Sequence, residues 1–227
     1  MKTIEASPKK KMDALRGNQY FEDLTEPLLK DLTQYTRLAQ FGRGDVMLWE
    51  GDSCEGLFIL EEGSAKIFRI SPQGRQYIVR ILQEGDTFGE VPAFDEGSSP
   101  VNVEALETCQ VWIIDKHKLL ALIKEHPTFA KKVLVNFGKM LRGLVRMVSE
   151  MAFYQVTHRL ARLIEAELPQ NKSPQWTQEQ LAARLGTVRE VVARSLKELE
   201  RSGAIKLEDR RIYIADREIF DQWIMPN

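Results

Sequence analysis

The segment from residue 177 to residue 194 constrains the fold more than any other part of the chain. It reads Thr-Gln-Glu-Gln-Leu-Ala-Ala-Arg-Leu-Gly-Thr-Val-Arg-Glu-Val-Val-Ala-Arg. Thr177, with Gln180 three residues later, forms a capping box that starts a helix, and Gly186 can adopt the positive φ that ends it. A second helix is predicted from about residue 188 to residue 201. The segment therefore predicts two short helices joined by a tight turn, a helix-turn-helix.

The second predicted helix buries Val192, Leu196 and Leu199 and turns a polar face outward. That face carries Arg189, Glu190, Arg194 and Lys197. Helix-turn-helix proteins place the first side chains of this helix against base edges in the major groove, where Arg suits guanine and Glu suits cytosine. The pattern thus favours a sequence-specific DNA binder. The alternative is that Glu190 and Arg194, four residues apart, form only a surface ion pair.

The composition neither supports nor excludes DNA binding. The 227 residues have a formal net charge of −1, but a local basic stripe matters more than a total. Basic residues are concentrated in the helix-turn-helix segment and in the segment that follows it: Arg184, Arg189, Arg194, Lys197, Arg201, Lys206, Arg210 and Arg211. No apolar run is long enough for a membrane span and the N-terminus has no signal-peptide pattern, so we expect a cytoplasmic protein.

Short strands separated by glycine turns are predicted between residues 41 and 114. The strand-forming runs are Val46 to Trp49, Leu57 to Leu60, Ala65 to Ile70, Tyr77 to Leu82, Val101 to Ala105 and Val111 to Ile114. Many short strands at such spacing indicate an all-β sandwich or barrel. After the helix-turn-helix, residues 203–214 read as two more strands around a charged turn, which is the pattern of a wing.

A long helix is predicted after Pro127, and two apolar stripes run along it. The first recurs at spacings of four and three, as in a coiled coil, and is the predicted dimer seam: Val133, Phe137, Met140, Leu144, Met147, Met151 and Tyr154. The second stripe is Leu134, Leu141 and Val148. Because a single seam does not need two apolar faces, we expect one stripe to pack on the β-domain and the other to pair with a second copy. The alternative is that both belong to the core of one domain.

Nearly the whole chain after about residue 20 resembles the superfamily of bacterial transcription factors that includes the cyclic-AMP receptor protein and the fumarate–nitrate-reduction regulator (CRP/FNR). The resemblance rests on the segments 41–45, 49–52, 56–67, 85–90 and 151–159 and on the helix-turn-helix. It implies an α+β fold with an antiparallel β-roll sensor of the cyclic-nucleotide-binding type, together with flanking helices, at residues 1–127. A dimerisation helix would follow at 128–154, with a hinge near Phe153 and Tyr154, and then a winged helix-turn-helix at 155–227.

The resemblance also implies roles for residues of the DNA motif. Arg189, Glu190 and Arg194 coincide with the three residues by which the cyclic-AMP receptor protein reads its half-site, which predicts a half-site containing GTG within an inverted repeat. The predicted contacts to phosphate are Thr177, Lys197, Lys206, Arg210 and Arg211. The expected partners are double-stranded DNA, a second copy of the chain and, for an activator, RNA polymerase.

The effector pocket departs from the family pattern. Gly89 is kept, and so is Glu90 in the ribose-binding position, but Pro100 replaces the arginine that pairs with the cyclic phosphate and Val101 replaces the following Ser or Thr. Two small hydroxyl residues of the dimer helix are replaced by Leu144 and Val145. No Lys or Arg lies between residues 81 and 115, so a buried phosphate would lack a cation. Binding of cyclic AMP in the usual manner is not expected, and no cofactor is predicted.

Other sensing chemistries have little support in the sequence. Cys54 and Cys109 are too few for an iron–sulfur cluster, although redox sensing through either stays open, and no spacing motif makes haem ligands of the three histidines. A cupin-type metal enzyme would need histidines in the strand region, and no catalytic arrangement is evident. We therefore expect a protein that is not an enzyme. The alternative function is a cyclic-nucleotide-type sensor module that acts through protein partners alone.

Overall fold

The computed structural model describes residues 1–167, 176–208 and 211–225. The chain forms two compact units, and each unit is assembled from two stretches of sequence. The first unit comprises Met1–Arg69 and Val79–Met140, and the second comprises Ile70–Ile78 and Leu141–Asn227. The second unit therefore takes a short stretch from the middle of the predicted sensor domain.

The first unit begins with elements whose positions were not predicted from the sequence. Strand β1 (Lys2–Ile4) is followed by helices α1 (Pro8–Arg16) and α2 (Glu26–Leu32) and by a 3-10 turn at Thr33–Tyr35. The hydroxyl of Ser7 caps α1 by accepting from the backbone N–H of Lys10 at 3.2 Å. The apolar side chains of α1 and α2 cover one face of a sheet. This packing explains why such short helices are stable here.

Two antiparallel sheets are formed by the chain before Lys116. Their strands are β2 (Thr36–Phe41), β3 (Val46–Leu48), β4 (Gly56–Glu62), β5 (Ala65–Ile70), β6 (Gln76–Leu82), β7 (Thr87–Phe88), β8 (Asn102–Ala105) and β9 (Cys109–Asp115). A five-stranded sheet has the order β1-β2-β9-β4-β7, and a four-stranded sheet has the order β3-β8-β5-β6. The predicted antiparallel β-roll is confirmed.

Successive side chains of the central strands point to opposite faces of the five-stranded sheet, and both faces are buried. On β4, Leu57 and Ile59 lie in the core beneath the helices, whereas Phe58 and Leu60 lie in the core between the sheets. Strand β9 divides in the same way, and its Trp112 is fully buried on the helix side. The middle of the sheet is therefore continuous apolar sequence, which made these strands easy to predict.

Helix α3 (Glu90–Asp95) precedes β8, and helices α4 (Lys116–Glu125) and α5 (Pro127–Phe153) follow β9. The first turns of α5 pack into the core of the first unit, where Phe129 is 2% exposed and Val133 is 6% exposed. Phe137 packs against the same core. Within one copy of the chain, Val133 is therefore buried and Phe137 is partly buried, which leaves little free surface at these two positions of the predicted seam.

The second stripe of α5 is the more exposed of the two, although Met140, Leu144 and Met151 of the first stripe are also exposed. Leu134 is 71% exposed, Leu141 is 62% exposed and Val148 is 65% exposed. From the first stripe, Leu144 is 51% exposed, whereas the thioether of Met147 accepts a hydrogen bond from the Tyr77 hydroxyl at 3.1 Å. The ring of Tyr154 lies 3.8 Å from the Arg162 guanidinium. The open apolar face of α5 thus runs along Leu134, Leu141 and Val148.

The second unit contains a small helical domain with a two-stranded ribbon. Its elements are α6 (Val156–Glu167), α7 (Gln178–Leu185), α8 (Arg189–Arg201), β10 (Ile205–Glu208), β11 (Arg211–Ile214) and α9 (Arg217–Ile224). Strands β10 and β11 pair antiparallel, from Ile205 opposite Ile214 to Glu208 opposite Arg211. This ribbon confirms the predicted wing, whereas α9 had not been predicted from sequence.

Candidate nucleic-acid interface and effector pocket

Helix α7 starts and ends where the local sequence predicts. The Thr177 hydroxyl accepts from the backbone N–H of Gln180 at 3.1 Å, and the Gln180 side chain accepts from the backbone N–H of Thr177 at 2.8 Å. Gly186 ends the helix with a φ of 63°. The capping box and the turn glycine are both confirmed. They fix the two ends of the first helix of the motif.

Packing between α7 and α8 decides which side chains face outward. Leu181 and Leu185 of α7 lie in one apolar cluster with Val192, Leu196 and Leu199 of α8. Burial of these positions leaves one polar face of α8 open, as the helical period predicts. The exposed residues on that face include Arg189, Glu190, Arg194 and Lys197.

Those four residues carry the groups that a base-reading surface needs. Among the described residues, no ion pair joins Glu190 to Arg194, so the simple surface-pair interpretation has no support. Arg189 does have partners on α7, since its Nε lies 3.3 Å from Glu179 Oε1 and 3.3 Å from Gln178 Oε1. Sequence reasoning missed these contacts because the residues belong to two different helices, and helical spacing does not predict contacts between helices.

The structure describes four of the five predicted phosphate contacts. Thr177, Lys197, Lys206 and Arg211 are exposed, and Arg210 lies outside the described residues. The Thr177 hydroxyl accepts in the capping box and still has its proton to donate. Lys206 forms an ion pair with Glu208, and the hydrogen bond to that carboxylate raises the pKa of Lys206. Its charge is therefore partly neutralised before any ligand arrives.

In the first unit, Gly89 and Glu90 begin α3 at the position of the predicted effector pocket. Gly89 has a φ of 78°, and a Cβ there would lie 2.9 Å from the Phe58 ring, so glycine is required. Glu90 is 8% exposed, and the Thr87 hydroxyl donates a hydrogen bond to its carboxylate. Burial raises the pKa of Glu90, and the hydrogen bond from Thr87 opposes that effect.

The charges around this carboxylate do not form an anion site. Pro100 is exposed and Val101 is half-buried, and neither carries a cation. Arg80, just before the segment that lacks Lys and Arg, lowers the pKa of Glu90. However, the Arg80 guanidinium is already bound to Asp86. The remaining pocket candidates, Leu144 and Val145, are 51% and 59% exposed on α5.

Polar groups of the N-terminal segment and of α5 lie close to Glu90. Tyr20 is 2% exposed, and burial together with the Glu90 charge raises its pKa. Asn136 interacts with Tyr20 and is itself 3% exposed. Sequence reasoning missed both residues, because no element was located before residue 36, where Tyr20 lies, and because Asn136 belongs to neither apolar stripe of the predicted long helix.

The two cysteines are not placed as reactive thiols. Cys54 and Cys109 are both free and buried, and burial raises the pKa of each thiol, which lowers its reactivity. No group of three His, Cys, Asp or Glu side chains within the described residues is placed to hold a metal ion. Across the same residues, every helix is too short or too polar to cross a membrane.

Comparison with known families matches both units of the chain. Residues 38–126 match the cyclic nucleotide-binding domain, and residues 155–222 match the Crp-like helix-turn-helix domain. The two matches follow one another in the order that the resemblance implied, and together they cover most of the chain.

Similar proteins cover the same length. A CRP-like cAMP-activated global transcriptional regulator of Mycobacterium tuberculosis is 26% identical over 87% of this chain and 92% of its own length. The cAMP-activated global transcriptional regulator Vfr of Pseudomonas aeruginosa is 27% identical over 82% of this chain and 92% of its own. A CRP/FNR-family protein from Eubacterium rectale shares the fold, with a TM-score of 0.77 at 20% identity over 91% of this chain and 99% of that one.

The winged helix-turn-helix, the β-roll and the domain order agree with these matches, and the similar proteins are regulators of transcription. The chain belongs to the CRP/FNR superfamily of DNA-binding transcription regulators.

Proposed function

We propose that this regulator acts as a homodimer that reads an inverted repeat with GTG-containing half-sites, and that cyclic AMP does not control it. The observation that carries the first part is the exposed face of α8, where Arg189, Glu190 and Arg194 stand free of the domain core. Arg donates in pairs to guanine O6 and N7, and Glu accepts from the cytosine amino group. Arg189 and Arg194 would therefore read guanines, and Glu190 a cytosine.

A symmetric dimer would present two such helices about one helical turn apart on the DNA. The exposed stripe of Leu134, Leu141 and Val148 supports this arrangement, since an apolar face of this length on one helix needs a covering partner. The phosphate contacts, proposed for Thr177, Lys197, Lys206, Arg210 and Arg211, would position the domain without reading sequence.

Selection of bound DNA from a random duplex pool tests the target sequence, followed by titration of two variants on the selected site. Arg194→Ala should relax the preference at one base position, at a cost of about 1–3 kcal/mol. Lys197→Ala should instead weaken binding to all sequences by a similar factor. A uniform, salt-sensitive loss for Arg194→Ala, with the base preference unchanged, would defeat the assignment. If the pool yields no enriched palindrome, the proposed target is wrong.

The second part of the proposal concerns the signal. Two relatives are described as cAMP-activated, but the pocket of this chain lacks the cation that a cyclic phosphate needs. Glu90 is buried there with a raised pKa, and Arg80 is committed to Asp86. A phosphate in such surroundings would remain unpaired, at a cost of several kcal/mol.

A thermal-shift titration with cyclic AMP tests this part, with a cAMP-activated relative as the positive control. We expect no shift for this protein at concentrations that saturate the relative. Saturable stabilisation, which linkage requires of any ligand that binds the folded state, would overturn the proposal.

A further inference from the structure

Arg189 is held by one edge of its guanidinium group. Both contacts, to Glu179 Oε1 and to Gln178 Oε1, are made by Nε at 3.3 Å. Glu179 and Gln178 belong to the first turn of α7, which the capping box anchors at Thr177. Leu181, two residues after Glu179, is 1% exposed in the domain core. The two acceptors are therefore carried by a fixed helix end.

The terminal amino groups of Arg189 remain available. A guanidinium presents five N–H donors in a rigid fork, and within the described residues the two terminal nitrogens of Arg189 have no hydrogen-bond partner. A bidentate contact with guanine O6 and N7 needs two such donors. We infer that Glu179, assisted by Gln178, is a positioning residue that orients Arg189 to read guanine. This inference rests on the proposed role of Arg189.

Ordering of Arg189 before binding would increase specificity. Arg has a large rotamer entropy, and a base contact requires the side chain to lose it, whereas loose association with phosphates does not. A partner that orders the side chain in the free protein therefore favours the specific complex over the nonspecific one. The Glu179 charge also repels the DNA backbone, which weakens binding to every sequence alike. Removal of Glu179 should thus change the two kinds of binding in opposite directions.

The experiment compares Glu179→Ala with wild type on the selected site and on a site in which one guanine is replaced by adenine. That guanine is first identified as the position where Arg189→Ala loses its preference. We expect Glu179→Ala to lower guanine discrimination there about three- to ten-fold and to leave the positions read by Glu190 and Arg194 unchanged. Affinity for nonspecific duplex should rise, and more so at low salt.

Three further variants separate orientation from charge and from folding. Glu179→Gln keeps an acceptor oxygen and should retain most of the discrimination. Glu218→Ala removes an exposed carboxylate from the first turn of α9 and should leave discrimination at wild-type level. If Glu179→Ala melts at a lower temperature than wild type, Glu179→Lys replaces it in the test, because lysine is also a good helix former. We expect the same loss of guanine discrimination from Glu179→Lys.

Several outcomes would overturn the inference. These are unchanged discrimination in Glu179→Ala, a loss shared equally by all base positions, and an effect of Glu179→Ala that persists in an Arg189→Ala background. Failure of the proposed function gives a different result, because Arg189→Ala would then leave the base preference intact whatever residue stands at position 179.

Discussion

Glu90 is a carboxylate enclosed by the first unit, and its protonation is coupled to folding. Because burial raises its folded-state pKa above the unfolded value, the folded state binds the proton more tightly. Its favourable contribution to stability is complete below the unfolded pKa and is lost as pH rises through the folded pKa. Ionised Glu90 is therefore a source of instability at neutral pH.

Glu90→Gln should remove this pH dependence. We expect the variant to gain stability relative to wild type as pH rises, and to match it in acid, in denaturant titrations over a pH series. Thr87→Val, which deletes the hydroxyl that favours the carboxylate, should extend the loss to higher pH, and Thr87→Ser should not. A difference between Glu90→Gln and wild type that is the same at every pH would contradict this account.

Gly186 makes a second prediction at the residue scale. Its φ is 63°, and a Cβ there would lie 3.2 Å from the Tyr77 ring. Gly74 has a φ of 78° with nothing within 4 Å of an added Cβ, so Gly74→Ala isolates the backbone cost of about 1 kcal/mol. Gly186→Ala should cost about 2–3 kcal/mol, because it adds steric contact. Equal losses of stability on thermal unfolding would show that the Tyr77 ring moves aside freely.

The residues that sequence could identify are those whose chemistry is local. Thr177, Gln180 and Gly186 act within a few positions of each other, so their capping and turn roles were predictable. Glu179 reaches Arg189 across the turn, and no periodicity encodes the direction of a long charged side chain. The positioning contact became visible only with the packed domain.

Among the elements, α5 shows where pattern stops being informative. Its two apolar stripes were both evident in the sequence, but the spacing of apolar residues does not predict which stripe will pack against the aromatic core. Phe129 stacks on Phe21 with ring centroids 5.9 Å apart, and Phe94 contacts both Phe129 and Phe137. Phe21 lies before residue 36, in the part of the chain that had no predicted structure. The pattern alone therefore could not show that Val133 and Phe137 contact the core of the first unit.

A charge on the exposed stripe of α5 should separate the proposed dimer. Leu141→Glu would place two carboxylates at a symmetric apolar interface, at a cost of several kcal/mol. We expect a monomer by sedimentation velocity and at least ten-fold weaker binding to an inverted repeat. Lys139→Glu places the same side chain at an exposed position roughly 200° around the helix and should remain dimeric. A dimeric Leu141→Glu protein would exclude this face as the interface.

At the scale of the whole molecule, a net charge of −1 coexists with a local cationic rim on the wing and α8. If Lys197, Lys206, Arg210 and Arg211 each meet a phosphate in both protomers, the logarithm of the binding constant should fall with log salt at a slope of about −7. Arg211→Ala should reduce the slope by about 2, and Lys206→Ala by less, because Glu208 already neutralises Lys206. Equal effects of the two variants would contradict that ranking.

Sequence reasoning was strongest for the general architecture and weakest for the first 35 residues and the effector. The strands, the long helix and the helix-turn-helix each have a regular spacing of apolar residues along the sequence, and the same residues face the core in the structure. Helices α1 and α2 are short, and their stability comes from the sheet they cover. The surroundings of Glu90 combine Tyr20 and Asn136 from distant stretches of the chain, so the polarity around this carboxylate could not be predicted from any one segment.

The second unit includes Ile70–Ile78 as well as the C-terminal region, and this has a consequence for dissection of the protein. A fragment that starts at Leu141 lacks Tyr77, and with it the ring beside Gly186 and the hydroxyl that bonds to Met147. Proteolysis or gene truncation at that point would therefore release the winged helix-turn-helix with its own apolar core, from Leu160 to Phe220, but without the ring that crowds Gly186.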